Sequence, residues 1–135
     1  MLMPKKTKWR KMHKRRRGGK ATRMTNVSFG DYGLKVMENC WLTARQLESA
    51  RKTISHFTKR GGRLWIRVFP DKPVTKRPPE IRMGGGKGPV DHYAAVVRPG
   101  RIIFEMGGVT RLVAEEALLR ASQKLPIRTK FIGEK

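Results

Sequence analysis

The first carboxylate of this chain is Asp31. Ahead of it, residues 1–30 carry eleven Lys or Arg: Lys5, Lys6, Lys8, Arg10, Lys11, Lys14, Arg15, Arg16, Arg17, Lys20 and Arg23. With few apolar residues and the flexible pair Gly18-Gly19, such a stretch cannot bury enough surface to offset the entropy lost on ordering. It reads as a basic arm over residues 1–26, disordered in isolation and ordered by a polyanion. A transit peptide is the competing reading, being also Arg-rich and acid-poor. Pro4, the scarcity of Ser and the lack of a repeating apolar face count against it.

The imbalance extends through the molecule. Lys and Arg number 32 against 10 Asp and Glu, a net charge of +22 on 135 residues. Charge of one sign opposes compaction, so its reason lies outside the fold. Leu, Ile, Val and Phe number 30, or 22%, just enough for one small core. No apolar run approaches the ~18 residues that span a bilayer, and Cys40 has no second cysteine to pair with. One Cys and three scattered histidines (His13, His56, His92) form no metal-ligand spacing, so neither metal nor cofactor is expected.

Residues 27–135 are left to form the domain. Residues 27–29 and 34–42 read as short strands broken at Gly30 and Gly33. Thr43 and Gln46 form a capping box, and Leu47, Ala50, Ile54 and Phe57 make one apolar stripe, so residues 44–60 are expected to be helical. Gly61-Gly62 supply a stop. Residues 63–69 alternate as a strand, with Leu64, Ile66 and Val68 on one face and Arg63, Trp65, Arg67 and Phe69 on the other. Residues 70–91 hold five of the eight prolines and show no period, which predicts a long projecting loop. Strands at 92–98 and 101–106 are expected to form a hairpin through Pro99-Gly100, followed by a helix at 110–124 and a strand at 128–132. The order predicts a single α+β domain, with two helices packed on a mostly antiparallel sheet.

Catalytic chemistry finds little support. Glu115 and Glu116 are neighbours on a helix, where adjacent side chains diverge by about 100°. Cys40 lies among apolar residues and reads as a buried structural thiol. No histidine is placed against an acid, and no triad or acid–base pair is present. The run Gly84-Gly85-Gly86-Lys87-Gly88 resembles a phosphate loop but fails its pattern: Ile81 stands where the first Gly belongs, and Gly88 follows Lys87 in place of Ser or Thr. Glycines that let backbone N–H groups approach an anion, flanked by Arg82 and Lys87, remain consistent either with an anion contact or with an exposed loop.

Polyanion binding explains the charge best. Cations continue beyond the arm at Arg45, Arg51, Lys52, Lys59, Arg60, Arg63, Arg67, Lys72, Lys76, Arg77, Arg82 and Lys87, without acids to match. No helix-turn-helix, zinc-finger or zipper pattern is present. A small domain with a basic arm and a Gly/Pro loop suits a folded, irregular RNA. Trp9 and Trp65 alternate with cations and are candidates for stacking on bases, although Trp65 suits a core position equally well. A DNA-coating module and a small RNA-modifying enzyme stay open as alternatives; a membrane-surface role has no helix suited to it.

Six segments carry a family resemblance: MLMPKKTKWRKMHK (1–14), VSFGDYGLK (27–35), LTARQLESAR (42–51), LWIRVFPDKPVTKRP (64–78), RMGGGKG (82–88) and LPIRTKF (125–131). In order and over nearly the full length, they resemble bacterial and organellar large-subunit ribosomal protein sixteen. The resemblance implies an α/β-hammerhead fold and a non-enzymatic structural role. The implied partners are large-subunit ribosomal RNA near the aminoacyl-tRNA site and peptidyl-transferase centre, neighbouring ribosomal proteins and, transiently, tRNA. No membrane contact or homo-oligomer is implied. The implied location is a cytoplasmic ribosome, with an organellar ribosome as the alternative. The implied RNA-binding residues in the arm are Lys5, Lys6, Lys8, Arg10, Lys11 and Lys14; Arg15, Arg16 and Arg17, more basic and differently spaced than the family pattern, join them as RNA-binding candidates on their charge. Arg63, Arg67, Lys72, Lys76, Arg82 and Lys87 follow on the strand and loop. Arg82 matches an arginine that some members carry hydroxylated. Thr110-Arg111-Leu112 departs from the usual start of the second helix.

Overall fold

The structure is a computed structural model and describes residues 1–15 and 18–133. Its elements are β1 (Tyr32–Val36), β2 (Cys40–Thr43), α1 (Ala44–Phe57), β3 (Arg63–Ile66), β4 (Lys72–Thr75), β5 (Val90–Val97), β6 (Ile102–Gly107), α2 (Arg111–Ser122) and β7 (Thr129–Ile132). The strands form two antiparallel sheets, one in the order β3-β6-β1-β7 and the other β2-β5-β4. The two helices pack against each other; α1 also touches β2 and β5, and α2 touches β1 and β7. This is the expected α+β domain, with its strands divided between two sheets.

Local chemistry fixes α1. The Thr43 hydroxyl accepts from the Gln46 N–H at 3.2 Å, and the Gln46 side chain accepts from the Thr43 N–H at 3.0 Å. Such a cap is worth about 1 kcal/mol. The helix buries Leu47, Ala50 and Ile54, as their spacing predicts. It ends at Phe57, three residues short of the expected helix end at residue 60, because Lys59 and Arg60 adopt left-handed backbone angles (φ 50° and 62°). α2 starts from Thr110, whose hydroxyl accepts from Val113 N–H, and buries Ala114, Ala117, Leu118 and Ala121.

Strand register gathers the core. Leu34 and Ile66 both lie opposite Phe104, and Tyr32 and Leu64 both lie opposite Met106. All six residues of β6 are buried. A strand covered on both faces and paired on both edges, with β3 and β1, has no edge left for β5. The expected hairpin between β5 and β6 is therefore not formed. Pro99-Gly100 instead turns the chain from one sheet into the other, with Gly100 N–H donating to the Val36 carbonyl at 2.7 Å.

Two more expectations are corrected. The predicted strand at 34–42 is two strands in different sheets, separated at Met37–Asn39 by a break where Met37 N–H turns to the Arg128 carbonyl. The supposed loop 70–91 contains β4, concealed in the sequence by Pro73. Proline lacks an N–H and breaks interior strands, but β4 is the edge of its sheet, where the missing donor is tolerated. The projecting connection shrinks to residues 76–89, between β4 and β5.

Residues 27–29 are not a strand because their amides are used elsewhere. Glu105 on β6 has no accessible surface, and its carboxylate accepts from the N–H groups of Ser28 (3.1 Å), Phe29 (2.7 Å) and Gly30 (3.0 Å). Arg67 donates to the same carboxylate at 2.9 Å and lies 4.4 Å from the Phe29 ring centroid. Phe29 in turn stacks on Trp65 at 6.3 Å. Burial opposes the charge on Glu105, but the three amides, followed by Arg67, outweigh it and hold the carboxyl below its ordinary value. Gly30 is required for the close approach: a Cβ there would stand 2.5 Å from the Met106 carbonyl oxygen.

Two outcomes are expected. Glu105→Gln, which leaves Arg67 without a counter-charge, should destabilise the domain by about 3–5 kcal/mol. Because the folded pKa is depressed, the stabilisation from ionised Glu105 should be complete above the ordinary Glu value of about 4.3 and should fade as pH drops through the lower folded value. In denaturant titrations, the stability gap between wild type and Glu105→Gln should be constant at neutral pH and narrow as pH is taken down through the depressed folded value. Gly30→Ala should cost roughly 1–3 kcal/mol at neutral pH by the same measurement, since the neighbour that must shift is backbone.

Candidate nucleic-acid interface

The basic arm and the 76–89 connection meet. Lys11 Nζ donates to the Lys87 carbonyl at 2.8 Å, and Lys87 Nζ donates back to the Met12 carbonyl. Each lysine holds the other segment by its backbone, which keeps two cations together despite their repulsion. Arg77 steadies the loop from inside by donating to the Gly86 carbonyl. At the base of the loop, Lys76 N–H donates to the Pro89 carbonyl at 3.1 Å. Between these supports, Gly84, Gly85 and Gly86 all have positive φ (99°, 77° and 95°), and a Cβ on any of them would meet nothing within 4 Å. The tip therefore presents bare backbone to its surroundings.

The arm is also secured at both ends. Met1, Leu2 and Met3 line a cavity with the start of α1 at Thr43, Ala44 and Arg45, and with residues 90–93. Ala21 N–H donates to the Pro99 carbonyl at 2.9 Å, and the Met24 carbonyl accepts from Ile102 at 2.8 Å. Between these anchors Lys5, Lys6, Lys8, Arg10, Lys11, Lys14 and Arg15 are exposed. Trp9 is 67% exposed, with Lys8 Nζ 5.6 Å from its ring centroid. Arg16 and Arg17, assigned to the arm by sequence, lie outside the described residues.

The other sequence-assigned residues separate into two groups. Lys76, Arg82 and Lys87 are exposed on the loop with the arm, and Arg63 is exposed at the start of β3, beside the end of α1. Arg67 and Lys72 are turned inward. Arg67 is bound to Glu105, and Lys72, 8% exposed, has its ammonium 4.3 Å from the Trp41 ring centroid. Trp65 serves the fold through Phe29 and leaves Trp9 as the exposed indole of the pair named as stacking candidates. Cys40 is half-buried against the core.

Sequence reasoning passed over Arg77 as a loop brace and Arg101 altogether. Arg101 is half-buried beside a cavity of about 300 Å³, and one of its terminal nitrogens donates to the Arg67 carbonyl at 3.4 Å. Burial pushes its guanidinium down; Asp71 acts in the opposite sense, and Arg67 adds to the depression. No local pattern marks either residue, since each is set by a distant carbonyl.

Many acids are already engaged within the protein. Glu48 pairs with Arg51, Glu116 with Arg120, Glu38 with Arg128, Asp91 with His92 and Glu105 with Arg67. Among the described residues, no group of three His, Cys, Asp or Glu could hold a metal ion, and no helix is long and apolar enough to cross a membrane.

Comparison with known proteins gives the family. The family described as "Ribosomal protein L16p/L10e" matches residues 4–132. The chain is 55% identical over 132 residues to the large ribosomal subunit protein uL16c of Gracilaria tenuistipitata, covering 98% of both chains. It is 59% identical over 132 residues to the uL16c protein of Trieres chinensis, covering 98% of this chain and 96% of that one. A match over nearly the whole length, through the arm, the loop and the helix–sheet core alike, makes this chain a member of the ribosomal protein L16p/L10e family of the large ribosomal subunit.

Proposed function

We propose that this protein binds large-subunit ribosomal RNA through its arm and its 76–89 loop, near the aminoacyl-tRNA site and the peptidyl-transferase centre. There it supports subunit assembly and the positioning of tRNA. The observation that carries the reading is the reciprocal bonding of Lys11 and Lys87, which joins two cationic segments into one surface. Each phosphate neutralised by such a surface releases condensed counterions, and this supplies affinity without base-specific contacts. The bare glycine backbone and exposed Trp9 suit an irregular RNA, where phosphates can approach amides and unstacked bases can lie on an indole.

Lys5, Lys6, Lys8, Arg10, Lys11, Lys14, Arg15, Arg16 and Arg17 contact phosphate in this reading, together with Arg63, Lys76, Arg82 and Lys87. Arg67 and Lys72 contribute by holding the frame from which the others project. Arg82, exposed beside Met83 (96% exposed), is open to hydroxylation. Neighbouring ribosomal proteins and transient tRNA complete the partners. The uL16c relatives support an organellar ribosome as the location.

The test is salt-dependent binding to transcribed large-subunit ribosomal RNA. Arg82→Glu with Lys87→Glu should lower affinity and reduce the slope of log K against log[salt] by at least roughly 1.5, the contribution of two phosphate contacts. Arg111→Glu with Arg120→Glu, two exposed positions on α2, should change both far less. Equal effects from the two pairs would remove the special role of the loop.

A further inference from the structure

The connection from α1 to β3 combines charge with backbone strain. Lys59 and Arg60 both occupy the left-handed region (φ 50° and 62°), which is unfavourable for residues bearing a Cβ and is ordinarily given to glycine. The turn is held by the Arg60 N–H donating to the Ser55 carbonyl at 2.9 Å and the Gly61 N–H donating to the Thr58 carbonyl at 2.8 Å. Glycine is available in the same segment but is used elsewhere. Gly62 (φ 70°) meets β6, where a Cβ would stand 2.6 Å from the Gly107 carbonyl oxygen. Two long cationic side chains thus occupy positions where glycine or asparagine would relieve the backbone. Residues held in such conformations concentrate where they perform a task.

The surroundings give the task a chemistry. Lys52, His56, Lys59 and Arg60 border one open cleft at the end of α1, and Arg63 adjoins it at the start of β3. The acid on this side, Glu48, is already taken by Arg51 at 2.5 Å. A helix C-terminus favours nearby cations, but that attraction fades within the last turn and asks nothing of the backbone beyond it. The cluster also stands apart from the arm and loop. The N-terminal segment lies at the start of α1, and fourteen helical residues at 1.5 Å each separate the two ends by about 21 Å.

We propose that Lys52, His56, Lys59, Arg60 and Arg63 form a second phosphate-binding surface, separate from the arm and loop, that grips the backbone of another RNA segment. The protein is then a tie between two RNA segments, with α1 as the spacer. This rests on the RNA-binding reading above, and the test separates the two. Full-length wild type, Lys59→Gly with Arg60→Gly, and Arg82→Glu with Lys87→Glu are each bound to transcribed large-subunit ribosomal RNA and mapped by hydroxyl-radical footprinting. Their melting temperatures are measured in parallel. The glycine pair should lose one protected RNA segment, keep the segment that the loop pair loses, and lower the salt slope by roughly 1.5. Its melting temperature should hold or rise, because the strain is relieved. Lys59→Asn with Arg60→Asn should behave alike, since asparagine tolerates the left-handed region. Unchanged protection and slope, or loss of the same segment in both pairs, would overturn the second surface. So would a lowered melting temperature in both the Gly and the Asn variants, which would assign these residues to packing. Binding unaffected by either the α1 or the loop variants would instead sink the RNA reading itself.

Discussion

A carboxylate with no contact with water organises this molecule. Removing an ion from water costs several kcal/mol, so Glu105 is tolerable only with its acceptor sites filled. Three consecutive amides and one guanidinium fill them. The effect reaches well beyond one residue. The amides fix residues 28–30 against β6 and so set where the basic arm leaves the domain. The guanidinium locks Arg67, just past β3, beneath Phe29, and Phe29 covers Trp65. A short stretch of irregular chain is thereby held against β6 and β3 of the larger sheet.

Positive charge on this chain is sorted by that architecture. Arg67 and Lys72 are drawn inward, to a carboxylate and to an indole, and the arm and loop cations are left outside. Glu105 goes inward with Arg67, while Glu48, Asp91, Glu116 and Glu38 stay nearer the surface, each beside one basic partner. The surface consequently keeps nearly the full excess implied by the composition, concentrated on arm, loop and the end of α1. An excess of this size suits a polyanion, and it comes from the scarcity of acids together with the placing of unpaired cations on projecting segments.

What could be read from the sequence follows the range of the forces involved. The capping box at Thr43 and Gln46 is a three-residue affair, and it is present as expected, as is the stripe Leu47, Ala50 and Ile54. Strand partners are another matter. Pro99-Gly100 reads as a hairpin turn by every local rule, yet β6 is claimed on both sides by β3 and β1, whose residues lie far along the chain. β4 was hidden because Pro73 is a fault in an interior strand and harmless at an edge. Likewise, a periodic strand does not disclose that Arg67 has a buried acid 38 residues away, or that Lys72 stands over Trp41. The segments behind the family resemblance run the length of the chain, which is why membership was legible where individual contacts were not.

The sheet order also bears on the molecule's birth. β1, complete at Val36, finds both its neighbours in β6 and β7, the second of which ends at Ile132. At synthesis rates of roughly 5–20 residues per second, the nascent N-terminus waits on the order of 5–20 s for those strands to emerge. For most of that interval Glu105 has not been made, so nothing yet pins residues 28–30, and the eleven cations ahead of Asp31 lack the contacts that later fix them. The charge of the arm is thus complete long before the sheet that anchors it.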